Sequence, residues 1–148
     1  MRLWHKGLLS SLPSKQLVAQ WREICGITRD IDMIGTPNHI LVNRIMDYPL
    51  SHLYSFATLV IDEMYKRGFA VSTVSFANFE KHIFSAMEKC NDTLDDIDYD
   101  VLFYNWHNDR YFWQCVTNLE EKYDCGGITD EEWDKIEEVS RLYTYPWE

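Results

Sequence analysis

The amino-acid sequence predicts an all-α fold, a compact single-domain bundle of five or six helices joined by irregular linkers. Three observations predict it. Apolar residues recur at helical spacing along successive stretches of the chain. Capping residues open those stretches, and glycines or X-Pro pairs close them. No run reads as a strand hairpin, and no internal repeat stands out. A length of 148 residues, with 46% of them hydrophobic, suits one domain with a sizeable core.

The elements follow in order. Leu3, Trp4, Leu8, Leu9 and Leu12 carry the amino-terminal segment toward the core. A helix begins near Pro13, with Leu17, Val18, Trp21, Ile24 and Cys25 on one stripe. Gln16, Gln20 and Glu23 share another face of it. Residues 26–35, bounded by Gly26 and Gly35, read as a loop holding Arg29 beside the carboxylates Asp30 and Asp32. Thr36 and Pro37 then read as N-cap and first position of a second helix. That helix would place Asn38 and His39 in its first turn and continue through Arg44 and Ile45 to Tyr48-Pro49.

Residues 50–67 form the most apolar helix, with Leu53, Tyr54, Ala57, Val60, Ile61 and Met64 facing inward. Lys66 and Arg67 suit its carboxyl end, and Gly68 stops it. Ser75 is read as the cap of a helix from Phe76 to about Cys90. The acidic stretch 91–100 lacks the central glycine and closing glutamate of a calcium loop, so it reads as a solvated linker. A helix from about Arg110 to Tyr123 ends at Gly126-Gly127. Thr129 and Glu132 form a capping box for the last helix. The chain closes on the aromatic run Tyr143, Tyr145 and Trp147.

Charge divides the chain. The total is −10. Residues 1–75 hold eight Lys/Arg against six Asp/Glu, for +2, and residues 76–148 hold six against eighteen, for −12. Such a balance disfavours tight duplex binding by the whole surface and leaves room for a weak DNA-binding face in the first half. The four cysteines form no CxxC pair and no histidine stands at zinc-finger spacing, so reduced thiols and no metal are expected. No apolar run is long enough to span a membrane, so a soluble, cytoplasmic protein without a membrane partner is the default expectation.

Two stretches carry the functional signal: Met1-Arg2-Leu3-Trp4-His5 and Gln20-Trp21-Arg22-Glu23. Together with Leu12-Pro13 and Gln16-Leu17, they resemble the phage-type pyrimidine-dimer DNA glycosylases, the dimer-excising endonuclease V family. The likeness returns at Asn38-His39 and at Lys66-Arg67-Gly68-Phe69, then fades. The resemblance implies a small all-helical glycosylase with lyase activity and no cofactor, acting on duplex DNA with a damaged or modified base. It implies that the chain's own α-amine attacks the sugar and that the helix glutamate, here Glu23, assists. Relatives of the best-known type begin Met-Thr-Arg and lose the Met. Here Arg2 follows Met1 directly, so the amine expected is that of Met1.

The chemistry is sound on first principles. An α-amine titrates near ~8, well below a lysine, so a useful fraction is neutral at physiological pH. A neutral amine forms an imine with a sugar carbonyl, and a nearby carboxylate shuttles protons or supports developing positive charge. The candidate catalytic residues are Met1 and Glu23, and the resemblance adds His39, since a histidine at the matching place in the family sits close to the scissile sugar. Candidates for DNA or phosphate contact are Arg2, Arg22, Arg29, Thr36, Asn38 and Arg44. Trp4, Tyr145 and Trp147 are candidates for stacking on a base, although Trp4 and the tail aromatics also suit core anchoring.

Two further classes fit the same residues. A non-catalytic protein on this scaffold would hold a nucleotide or nucleotide-derived signal, as a phage anti-defence protein would. An acidic second half would instead meet a basic protein partner. Nucleotide affinity without DNA affinity would mark the first of these, and a complex surviving high salt the second.

Overall fold

The computed structural model describes residues 1–147. Five α-helices make the fold: α1 Ser14–Ile34, α2 Ser51–Lys66, α3 Thr73–Lys89, α4 Asp109–Asp124 and α5 Asp130–Ser140. Short 3₁₀ turns lie at Lys6–Leu8, Asn43–Asp47 and Tyr99–Val101, and no strand occurs among the described residues. The all-α expectation is met.

The first helix is longer than its apolar stripe suggested. It runs straight through Gly26, and the expected loop at 26–35 does not exist. A mid-helix glycine costs about 1 kcal/mol relative to alanine. Ile27 and Ile31, at 1% and 3% exposure, extend the buried stripe and more than offset that cost. The helix stops at Gly35, whose φ of 81° is the left-handed conformation that a glycine adopts freely. Arg29 thus stands on α1, exposed and paired with Asp30 at 3.6 Å.

The helix expected from Thr36 to Asp47 is also absent. Asn38 has φ 54°, and its N–H donates to the Thr36 hydroxyl at 3.1 Å, a local bond that competes with helix formation. A single turn follows, in which the amides of Val42 and Asn43 both donate to the carbonyl of His39. Only Asn43–Asp47 winds further, as 3₁₀. Val42 and Ile45 are its buried anchors, three residues apart as a 3₁₀ turn requires, while Ile40 is 85% exposed. Thr36, Asn38 and His39 therefore form no helix N-terminus, and the anion site expected of one is not built.

From α2 onward the expected elements hold, with one shifted boundary. α2 buries Leu53, Ala57, Val60, Ile61 and Met64 as expected, with Phe56 beside them. The acidic linker is tied to its start: Asp92 accepts the Leu50 N–H at 3.1 Å, and Ser51 donates to the Thr93 carbonyl at 2.8 Å. At the other end Arg67 is a structural clamp. Its guanidinium donates to the carbonyls of Leu12 and Leu9 at 2.6 and 3.0 Å and pairs with Glu63 at 3.0 Å. α3 is capped by Ser72, which accepts the Ser75 N–H, rather than by Ser75 itself. Asn108 caps α4, and the Thr129–Glu132 capping box of α5 is present.

α1 packs against α2 and α3, and α4 pairs with α5. The amino-terminal segment is buried among them, with Leu3 and Leu8 fully enclosed in one apolar cluster that extends to Ile136. Tyr143 stacks on Phe112 with ring centroids 3.7 Å apart and pins the carboxyl-terminal segment to α4. A polar brace joins α1 to α3: Asp32 binds His82 at 2.7 Å and Lys89 at 2.8 Å. These partners hold the Asp32 carboxyl far below the usual carboxylate range, the His82 bond foremost. Among the described residues no helix is long and apolar enough to cross a membrane.

Candidate active site

The amino terminus is held against α1 by one buried side chain. Gln20, fully enclosed, accepts the Trp4 N–H at 2.7 Å through its side-chain oxygen. Its NH₂ donates to the Arg2 carbonyl at 3.0 Å and reaches Glu23 Oε2 at 3.4 Å. One residue thus ties the first turn-length of chain to the helix face that carries Glu23. Tyr111 of α4 closes the other side, its hydroxyl donating to the Leu3 carbonyl. Met1 itself remains half exposed.

Glu23 is half-buried, and desolvation pushes its carboxyl above the usual carboxylate range. The positive Met1 amine opposes that shift most strongly, followed by the Arg2 backbone N–H, Lys122 and Arg22. The site is therefore a partly dry carboxyl ringed by cations, with the chain's own amine the foremost of them. Such a group is poised to carry a proton in one step and to sit opposite a positive charge in the next.

The structure brings Met1, Arg2, Arg22 and Glu23 to one place, and adds Gln20 and Lys122. Arg2 has a second role: its guanidinium donates to Cys115 Sγ at 3.7 Å and lies 5.5 Å from the Trp4 ring centre. Lys122 Nζ lies 5.7 Å from the same ring. Trp4, 5% exposed, has cations against it rather than open space for a base.

A cleft of about 280 Å³ adjoins this cluster, lined by Arg2, Leu41, Tyr111 and Gln114. Leu41 brings the 36–42 loop to its edge. His39 sits two residues away, its ring Nδ1 accepting the Leu41 N–H at 3.2 Å and its own N–H donating to Asn43 at 3.0 Å. No contact joins His39, Asn38 or Thr36 to Glu23. Arg44 lies 5.6 Å from the Trp106 ring centre and, with Arg2, exerts a positive field on Tyr111. Arg29 is apart, about 9 Å along α1 beyond Glu23. Tyr145 and Trp147 remain exposed, forming a step in which Tyr145 meets Trp113 edge-on at 5.1 Å and Trp147 at 5.6 Å. Arg110 lies 6.0 Å from the Trp147 ring.

The segment that holds the amine, α1 and α2 also matches a family model. The model for pyrimidine dimer DNA glycosylase matches residues 1–75. The chain belongs to this family. Comparison with curated proteins and with solved structures returned no match. The glycosylase-family match takes in Met1, Arg2, Arg22 and Glu23 and ends at the first turn of α3. Lys122, Tyr111 and Gln114 lie beyond it, on α4. Spacing alone placed Gln20 on the Glu23 face but said nothing of its grip on the backbone. Nothing in the sequence pointed to Lys122, which reaches the site only through the packing of α4.

Beside the site lies a buried histidine pair. His5 and His107 stack with centroids 5.1 Å apart. His5 Nδ1 accepts the Gly7 N–H at 2.9 Å, and His107 Nδ1 accepts the Lys6 N–H at 2.9 Å. Each Nδ1 must then be unprotonated. Burial lowers the His5 pKa to about 4 and takes His107 well below its ordinary value. His5 is thus a neutral turn cap rather than a charged group of the site.

Proposed function

We propose that this chain is a DNA glycosylase with AP-lyase activity, excising a damaged or modified pyrimidine through an imine formed by the Met1 amine. The observation that carries it is the Gln20 clamp, which fastens the backbone of Arg2 and Trp4 to the α1 face that carries the half-buried Glu23. Membership of a pyrimidine dimer DNA glycosylase family supports DNA as the substrate.

The neutral amine attacks C1′ of the damaged nucleotide. The bond from C1′ to the base breaks, and its electron pair leaves with the base, which takes up a proton. Opening of the sugar ring leaves an imine between C1′ and the Met1 nitrogen. Glu23, with its raised pKa, exchanges protons with the sugar and faces the positive charge of the protonated imine. Glu23 then takes a proton from C2′, the C3′–O bond breaks with its electron pair leaving on the 3′-phosphate, and water hydrolyses the imine to free the Met1 amine and a sugar aldehyde. Because a sugar carbon in duplex DNA is hidden, the nucleotide must leave the stack. Arg22, Arg2 and Arg44 hold the strand in this reading, and the Tyr145–Trp147 step stacks on a base, supported by the exposure of both rings. Arg29 and the Thr36–Asn38 turn stand outside the cluster around Glu23, and His39 flanks the cleft through Leu41.

Borohydride trapping on ultraviolet-irradiated and on abasic duplex DNA tests this, using protein with a free Met1. A covalent complex on irradiated DNA, with cleavage lost in Glu23→Gln, is expected. Trapping on abasic DNA alone would leave the lyase step and remove the glycosylase step. No complex on either DNA, with an intact Met1 by mass, would overturn the proposal in favour of a nucleotide-binding protein on the same scaffold.

A further inference from the structure

We infer that a groove along α2, away from the candidate active site, binds an extended peptide with an apolar anchor preceded or followed by basic residues. The groove is built from two adjoining hollows of about 490 and 340 Å³ that share Leu59 and Tyr99. One wall is a single helical face: Tyr54, Ser55, Thr58, Leu59, Asp62 and Lys66 recur at i, i+1, i+4, i+5, i+8 and i+12. The other wall is the acidic linker and then the turn at Lys6–Ser10. None of the candidate catalytic residues lines it.

Its dimensions fit a strand-like segment. Twelve residues of helix from Tyr54 to Lys66 span about 18 Å. An extended peptide covers that in about five or six residues. The floor is apolar, with Leu59, Ile97 and Leu102, and Leu94 stands beside it 51% exposed.

Charge chooses the occupant. The end at Leu94 carries Asp95 and Asp96, both exposed and lining the groove. Their run continues to Asp98 and Asp100. At the far end two cations, Lys6 and Lys66, face two carboxylates, Asp62 and Glu63, with Lys66 and Glu63 3.8 Å apart, so that end offers no net charge. A peptide with basic residues at the Asp95–Asp96 end and an apolar pair over Leu59 complements both features. The −12 of the second half would steer it in. DNA, with its phosphates, is repelled from this face, so the surface is independent of the glycosylase proposal.

Fluorescence anisotropy of a labelled peptide, an arginine pair followed by a leucine pair, tests the inference on the full chain. Saturable binding is expected. It should weaken about tenfold in Asp95→Asn/Asp96→Asn and again in Leu94→Ser, since anchor and charge contacts each carry a share of the affinity. These positions are exposed, so the variants are expected to fold, and helical circular dichroism checks this. The inference is overturned if the peptide does not bind. It is also overturned if a peptide with serines for the leucines binds equally well, which would mean adsorption to an acidic surface only. A concentration-dependent dimer abolished by Leu94→Ser would overturn it by assigning the groove to a second copy of this chain.

Discussion

The side-chain oxygen of the buried Gln20 accepts the backbone N–H of Trp4 at 2.7 Å. With the companion bond to the Arg2 carbonyl, it converts a helix position into a clamp on the amino terminus. Gln20→Met keeps the volume and leaves both backbone groups unpaired. Unfolding free energy should fall by about 1–4 kcal/mol, since the buried Trp4 N–H costs roughly 1–3 when orphaned and the part-buried Arg2 carbonyl costs less. Borohydride trapping should fall further than stability explains, measured well below Tm where the variant is folded. Wild-type trapping in a folded Gln20→Met protein would show that the clamp does not position the amine.

Glu23→Gln separates function from stability. Desolvation raises the Glu23 pKa, so the folded state binds the proton more tightly than the unfolded chain. Wild-type stability therefore declines as pH rises through the window between the unfolded and folded values. Above that window the charged Glu23 is a burden that glutamine removes. Glu23→Gln should match or exceed wild type in Tm at neutral pH, with the difference vanishing in acid, where Glu23 is protonated. Strand cleavage should drop about 10²–10⁴-fold. A Tm lowered at neutral pH, measured by calorimetry across pH, would assign Glu23 a structural role instead.

The fold was legible where one periodic pattern met one clear boundary. Leu53 to Met64 between Pro49 and Gly68, and the Thr129–Glu132 box, are such cases. It was not legible where a boundary residue was ambiguous. Gly26 looked like a stop and is a tolerated helix interior, because Ile27 and Ile31 sustain the buried stripe. Thr36-Pro37 looked like a helix start, but the Thr36 hydroxyl bonds the Asn38 amide and turns the chain away. In the site, Met1, Arg22 and Glu23 were readable because they lie on the amino terminus and one helix. Lys122 and Tyr111 were not, because only the docking of α4 more than a hundred residues from Arg2 brings them there.

The His5–His107 stack sets an acid limit. Both rings accept backbone N–H groups at Nδ1, and His5 is lowered to about 4. The unfolded chain takes up these protons near pH 6.5, before the folded one does. Stability contributed by the neutral pair is thus complete above about pH 6.5 and is lost as pH falls toward the folded values. His5 alone should account for about 3 kcal/mol of that loss. Urea midpoints from pH 7.5 to 4.5 should fall steeply, and the His5 ring signals in NMR should titrate near 4. Titration of both rings near their ordinary value would contradict the buried, neutral pair.

Gly26→Ala distinguishes a continuous α1 from the loop that Gly26 and Gly35 suggest. Gly26 lies inside the helix, has no atoms within 4 Å of where a Cβ would stand, and needs no left-handed backbone. Alanine there gains helix propensity and removes unfolded-state freedom. Stability should rise by about 0.5–1 kcal/mol. Gly35→Ala should do the opposite, because its φ of 81° strains any residue with a Cβ. Opposite signs for the two substitutions in urea unfolding are the expected result. Destabilisation by both would mean that α1 breaks at Gly26, moving Arg29 and Asp32 off the helix that carries Glu23.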